Sequence, residues 1–341
     1  MRTTCVLALL LSAGVSAHAL GPEAERAAAG MGFGSLGEFQ AVPLVAEAGS
    51  ASTEPFVHAA LDFSSVTWPV NLTEKDQAAI AIALNISGSF EGMSGWGNIS
   101  GNFDGQGVSL GLLNQNLGQG SLQPMLIRMR ERHPAVLGAL FTPEHLKSLM
   151  GMLAQWEKDF GTASFSGRLS LLDYSMGTAD AGIMSANDAS VLWARTNLYA
   201  GAHFEPVWKA ELVALAQSPE YVSLQIGAAL HLHDSAVDYQ VRIAVFELRA
   251  YLMLFDVVVQ NGGIYPEDLE EYDAYVKKNP KATSAQKLEE LLRLRLRHVR
   301  PQYVKDVRSR KRTIINGTGI VHGEKRNLPA EYSYEPLTPY R

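Results

Sequence analysis

From residue 70 onward the apolar positions recur at helical spacing, and proline and glycine cut them into segments. Leu72–Ser87 predicts a helix. Ala78, Ile82 and Ile86 repeat every four residues, Thr73 supplies an N-cap, Glu74 and Asp76 favour the first turn, and Gly88 ends it. Leu122–Arg132 predicts a second helix, punctuated by Pro134, and Pro143 opens a third through EHLKSLMGMLAQWEKDF. Residues 161–188 read as loops and short helices, 189–200 and 204–217 as helices, and 220–259 as one or two long apolar helices. Pro266 starts a polar helix, and Ser284 caps a basic one over 285–311. A small sheet is expected only near 95–113. Residues 20–55 carry no sustained periodicity and read as an arm or linker. The pattern predicts an α+β, mainly helical protein.

Composition narrows the class. The 341 residues, 47% apolar and 19% charged, suit a globular protein rather than a disordered one. A net charge of −6 argues against a nucleic-acid partner. Arg2, the apolar run Val6–Val15 and small-x-small sites ending at Ala17 and Ala19 form a secretory leader. Residues 1–19 are therefore expected to be removed, leaving a periplasmic or secreted chain. No stretch is long and apolar enough for a transmembrane segment. Cys5, the single cysteine, lies in the leader, so the mature chain is expected to use neither disulfide nor thiol chemistry.

The densest chemistry lies in 90–126, FEGMSGWGNISGNFDGQGVSLGLLNQNLGQGSLQPML. Two acids, Glu91 and Asp104, stand thirteen residues apart in a stretch otherwise poor in charge. Glycines let the backbone turn tightly or approach a ligand. Asn102, Gln106, Ser109, Asn114, Gln115 and Gln119 offer uncharged donors and acceptors of the kind a sugar-hydroxyl site needs. Glycosidic cleavage needs an acid to protonate the leaving oxygen, and an inverting enzyme adds a carboxylate that activates water. Phe90 and Trp96 offer Glu91 apolar neighbours, which favour a protonated carboxyl. In the plainer alternative Glu91 caps a turn and Asp104 makes an Asx-turn with Gly105.

A Glu at a helix end, an Asp-Gly-x-Gly turn and a glycine-rich lead into a helix resemble family-46 chitosanases and their relatives in the lysozyme-like superfamily. GNFDGQGVSLGLL with LGQGSLQPML, LFDVVVQNGGI at 254–264 and RKRTIINGTGIVHG at 310–323 are similar to a bacterial group of peptidoglycan-hydrolase-like proteins. The resemblance implies a lysozyme-like fold, a small sheet beside an active-site cleft, and peptidoglycan or another amino-sugar polymer as partner. It implies Glu91 as general acid and Asp104 as a possible base, and it turns the helix end with Gln260 and Asn261 toward the cleft. Lytic transglycosylases of the superfamily work with one glutamate, which leaves Asp104 as a turn residue. The implied domains are a lysozyme-like catalytic domain at 70–325, an arm or linker at 20–69 and a tail at 326–341.

Other motifs add little. The Gly-x-Gly pairs fit neither nucleotide-binding pattern. Asn102, Asp104 and Gln106 mimic a calcium loop, but Leu113 stands where its final carboxylate belongs. His231 and His233 fall in a helical pattern, where i and i+2 diverge, so they read as structural and no metal or cofactor is expected. The basic run Arg293, Arg295, Arg297, Arg300, Lys305, Arg308, Arg310, Lys311 and Arg312 reads as a solvated helix face or a surface for anionic wall polymer.

Overall fold

The computed structural model describes residues 61–64, 66–92, 94–160 and 181–341. These form a mainly helical α+β fold with small antiparallel sheets. The leader, most of the N-terminal arm and the expected loops at 161–180 lie outside the described residues. The chain divides into two units. The first contains Ser94–Ala229 with Ser64–Trp68, and the second contains Pro69–Met93 and Leu230–Arg341. No described helix is long and apolar enough to cross a membrane.

The first unit is built on a three-stranded antiparallel sheet of Ile99–Ser100, Ser109–Leu110 and Gln115–Asn116. Its third strand lies just past the expected stretch. Ser100 pairs with Ser109 and Ser109 with Asn116, which puts polar side chains in a row across the strands. Each strand is two residues long because glycine turns interrupt it. Gly111 makes such a turn at φ +82, and a Cβ there would meet Gln225 Oε1 at 2.5 Å. That oxygen accepts the Leu112 N–H at 2.7 Å, tying the turn to helix Pro219–Ile243. Helices Gln123–Arg132, Pro143–Phe160, Ala181–Asn197 and Pro206–Gln217 close around Leu110, Met125, Leu153, Trp156, Trp208 and Tyr221. The helix expected at 189–200 starts earlier, at Ala181, and ends at Asn197, where a hairpin pairing Tyr199 with Phe204 takes over.

In the second unit helix Glu74–Glu91 packs on Leu248–Asn261, which packs in turn on Val304–Asn316. Thr73 caps the first of these, accepting the Asp76 N–H at 3.1 Å. The helix does not stop at Gly88. Gly88 is buried beside Ser87, and burial of this small-residue face outweighs the ~1 kcal/mol that glycine costs in a helix. Glu91 is thus the last helical residue, closed by the Gly92 N–H on Gly88 O at 3.1 Å. The basic helix expected at 285–311 is two, Ser284–Arg295 and Val304–Asn316. Pro301 has no N–H and disfavours the helical conformation at Arg300, so one helix cannot run through. The cap is Thr283 with Gln286 in a capping box, one residue before the expected Ser284. Residues 326–341, expected as a tail, are built into the unit. Glu324–Asn327 pairs with Thr318–Val321, Leu328 is fully buried, and the Tyr340 hydroxyl donates to Asp76 Oδ1 at 2.8 Å.

Candidate active site

Glu91 ends its helix facing inward, with its side chain 4% exposed. Its Oε1 accepts from Arg310 Nη1 at 2.7 Å. Arg310 is fully buried and turns its other nitrogen, Nη2, to Asp256 Oδ1 at 2.6 Å. Arg310 Nε finds no acceptor among the described residues; the guanidinium lies over the Phe90 ring instead, 5.0 Å from its centroid. Arg326 approaches the same ring at 5.3 Å. The surroundings of Glu91 are therefore cationic as well as apolar, where sequence reading expected only aromatic cover.

The charges continue beyond Arg310. Lys311, fully buried, meets Asp256 Oδ2 at 2.7 Å and also donates to Gln260 Oε1. Gln260 Nε2 donates to Asp306 Oδ2 at 2.7 Å, and His322 Nε2 lies 2.7 Å from Asp306 Oδ1. Burial pushes the Asp256 carboxyl up, but Arg310 and Lys311 outweigh it and hold it well below the usual carboxylate range. Burial likewise lowers Arg310, and the charges of Asp256 and Glu91 more than restore it. For Lys311 burial wins over Asp256, and its ammonium is pulled down to about 8. Burial raises Asp306, while the His322 hydrogen bond and Arg310 bring it below its ordinary value.

Asp104 belongs to the first unit, in a short turn Asn102–Asp104 closed by Gly105 at φ +81. Its Oδ1 accepts the Gln106 N–H at 3.0 Å, and Asn102 Oδ1 accepts the Gly107 N–H at 2.7 Å. This is an Asx-turn, bolted down by the Tyr199 hydroxyl on Gly107 O at 2.7 Å. Burial raises the Asp104 carboxyl against the opposing backbone hydrogen bond. It also pushes the Tyr199 hydroxyl to about 12, with Asp104 adding to the rise.

Other expected sugar contacts are largely spent on the protein itself. Asn114 Oδ1 accepts from Asn98 at 2.9 Å, and Gln119 Oε1 accepts from Asn116 at 2.9 Å. Ser109 and Gln115 are buried in strands. Gln106 is half-buried against Gly118. Gln260 and Asn261 were expected to face the sugar. Instead Gln260 links Lys311 to Asp306, and buried Asn261 gives its carbonyl to Arg295 at 2.8 Å. The structure thus joins Glu91 to Gln260 through charged side chains and groups Asn102, Asp104 and Gln106 in one turn.

Arg310 and Lys311 stood out in the sequence only as members of the basic run, and Asp256 only as part of LFDVVVQNGGI. One signal was available, a lone aspartate inside the apolar helix LRAYLMLFDVVVQN. Of the basic run, Arg295, Arg310 and Lys311 are buried and the other six are exposed. Arg295 serves Gly263 and Asn261, Arg297 serves Asp268 and Glu271, and Arg310 and Lys311 are in the cluster. His231 is exposed, and buried His233 meets the Tyr251 hydroxyl at 3.0 Å. Among the described residues no three His, Cys, Asp or Glu side chains are placed to hold a metal.

No family model and no curated protein matches the chain. Among solved structures it is similar to a Gynuella sunshinyii GH46 chitosanase in complex with chitotetraose, at 15% identity and a TM-score of 0.39. The similarity covers 72% of this chain and 88% of that one.

Proposed function

We propose that this protein is an exported, lysozyme-like enzyme that cleaves an amino-sugar polymer, peptidoglycan first, with Glu91 as general acid. The observation that carries the reading is the charge balance around Glu91. Glu91 and Asp256 share one fully buried guanidinium, Arg310, while Lys311 meets Asp256 and His322 meets Asp306. Removing one partner of a buried pair is normally costly because the other charge is stranded. Here a proton on Glu91 leaves Arg310 paired with Asp256 at 2.6 Å. The helix end fixes the acid in place, and general acid catalysis depends on that placement. The family resemblance carried by 90–126 suggests the substrate class; the remote structural likeness supplies none of it.

Asp104 is tied to its own turn, which favours chemistry with a single essential carboxylate. Purified mature protein incubated with peptidoglycan and with chitosan, its products identified by mass spectrometry, tests the proposal. Anhydro-muropeptides mark transglycosylation, new reducing ends mark hydrolysis, and intact polymer with bound protein marks a non-catalytic wall-binding protein. Chitosan cleavage alone moves the reading to a chitosanase-like hydrolase. Asp104→Asn keeps the acceptor that the turn needs and is expected to retain substantial activity. A loss as deep as that expected for Glu91→Gln would make Asp104 the base of an inverting enzyme.

A further inference from the structure

His322 stands at the tip of the hairpin Thr318–Val321/Glu324–Asn327, at φ +52, followed by Gly323 at φ +89. Two consecutive left-handed residues define a tight hairpin turn in which Asn-Gly or Asp-Gly is the usual choice. A histidine there carries backbone strain, and such strain clusters at functional positions. The ring reaches Asp306 at 2.7 Å while its side chain stays 38% exposed. Asp306 leads inward by two routes. One passes through Gln260 to Lys311 and Asp256. The other is electrostatic, to Arg310 one turn further along the same helix, and so to Glu91. One solvent-facing titratable ring is thereby continuous with fully buried charges.

Among the described residues, the elements packed on the hairpin add no rival partner for the His322 ring. Helix Val304–Asn316 presents Asp306, Arg310 and Lys311, while its Lys305, Arg308 and Arg312 are exposed, the last held by Glu289 at 3.0 Å. Glu324 and Lys325 on the hairpin are exposed to screening water. Glu331, on the helix after it, is taken by Arg326 at 2.6 Å.

We propose that His322 is a positioning residue for Glu91: through Asp306 and the side chains behind it, its charge is felt at the far end of the cluster, and it so carries solvent acidity to Glu91. Its catalytic consequence rests on the reading of Glu91 as an acid; the coupling itself does not.

The test follows the His322 imidazole by NMR against pH in the full chain, its signal assigned by its loss in His322→Asn. Asparagine tolerates the left-handed turn, so the hairpin survives. In Asp306→Asn the midpoint is expected to move to lower pH, because the adjacent anion is gone. In Glu91→Gln it is expected to move the same way by a smaller amount, since one negative charge has left the cluster. Linkage is reciprocal, so a Glu91 charge felt at His322 is a His322 charge felt at Glu91. Movement in Asp306→Asn with none in Glu91→Gln overturns the proposal. A second readout is the ratio of wild-type to His322→Asn kcat. It should change across the His322 titration, and a pH-independent ratio, which a purely structural role predicts, overturns the catalytic consequence. If the wild type cleaves no glycan, the acid reading fails while the NMR comparison still decides the coupling.

Discussion

Arg310 holds two carboxylates at once, and that decides what the second unit tolerates. Arg310→Met keeps most of the volume but leaves Glu91 buried without its partner and Asp256 with Lys311 alone. Breaking a buried pair in this way typically costs about 3–5 kcal/mol. Urea unfolding should register that loss, and a variant as stable as wild type would show that packing, not charge, holds the cluster. Lys311 gives the pH signature. Its ammonium titrates at about 8 in the fold against 10.5 ordinarily. Between those values the unfolded chain binds more protons than the folded one, so this group's contribution to stability rises with pH. Asp256 works on the acid side. Its lowered carboxyl gives stability that is present above the ordinary carboxylate range and lost as pH falls through the lower folded value. The melting-temperature difference between wild type and Lys311→Met should therefore shift in favour of wild type from about pH 8 to 10. A constant difference over that window would contradict the assignment.

Elements were legible where periodicity and punctuation agreed. The helices opening at Pro143 and Pro266 begin where proline says, and Thr73 caps as its position implies. Element ends were less legible. Gly88 carries a stop signal that burial overrides, and the stop at Pro301 is hidden inside a run of basic residues that continues past it. The short strands at 318–327 were invisible because two four-residue strands joined by His-Gly give little alternation to read. Of the site, Glu91 and the Asx-turn could be read locally. The Arg310–Asp256 pair spans 54 positions, and no local pattern encodes a contact at that separation. The glycines of the first unit are not interchangeable. Gly111 is left-handed and blocked by Gln225, whereas Gly138 lies in helix Pro134–Leu140 with open space around its missing Cβ. Gly111→Ala should cost about 1–3 kcal/mol from backbone strain alone, before any clash. Gly138→Ala should instead stabilise by about 0.5–1 kcal/mol. Thermal melts of both variants check the contrast, and equal effects would refute it.

For the whole molecule, a net charge of −6 conceals strong local order in which most described basic side chains of the C-terminal run are matched to carboxylates or carbonyls. That matching turns much of the run's charge onto the protein itself, and the three buried members, Arg295, Arg310 and Lys311, are not available to an anionic polymer. The most direct test is turnover of peptidoglycan and chitosan by wild type and Glu91→Gln, each verified as folded by circular dichroism and melting temperature. Glutamine can still accept from Arg310, and Arg310 keeps Asp256, so the variant should melt close to wild type. Its turnover should fall by about 10²–10⁴-fold, the usual worth of general acid catalysis. Wild-type turnover by a correctly folded Glu91→Gln protein would contradict the assignment of Glu91 as the acid.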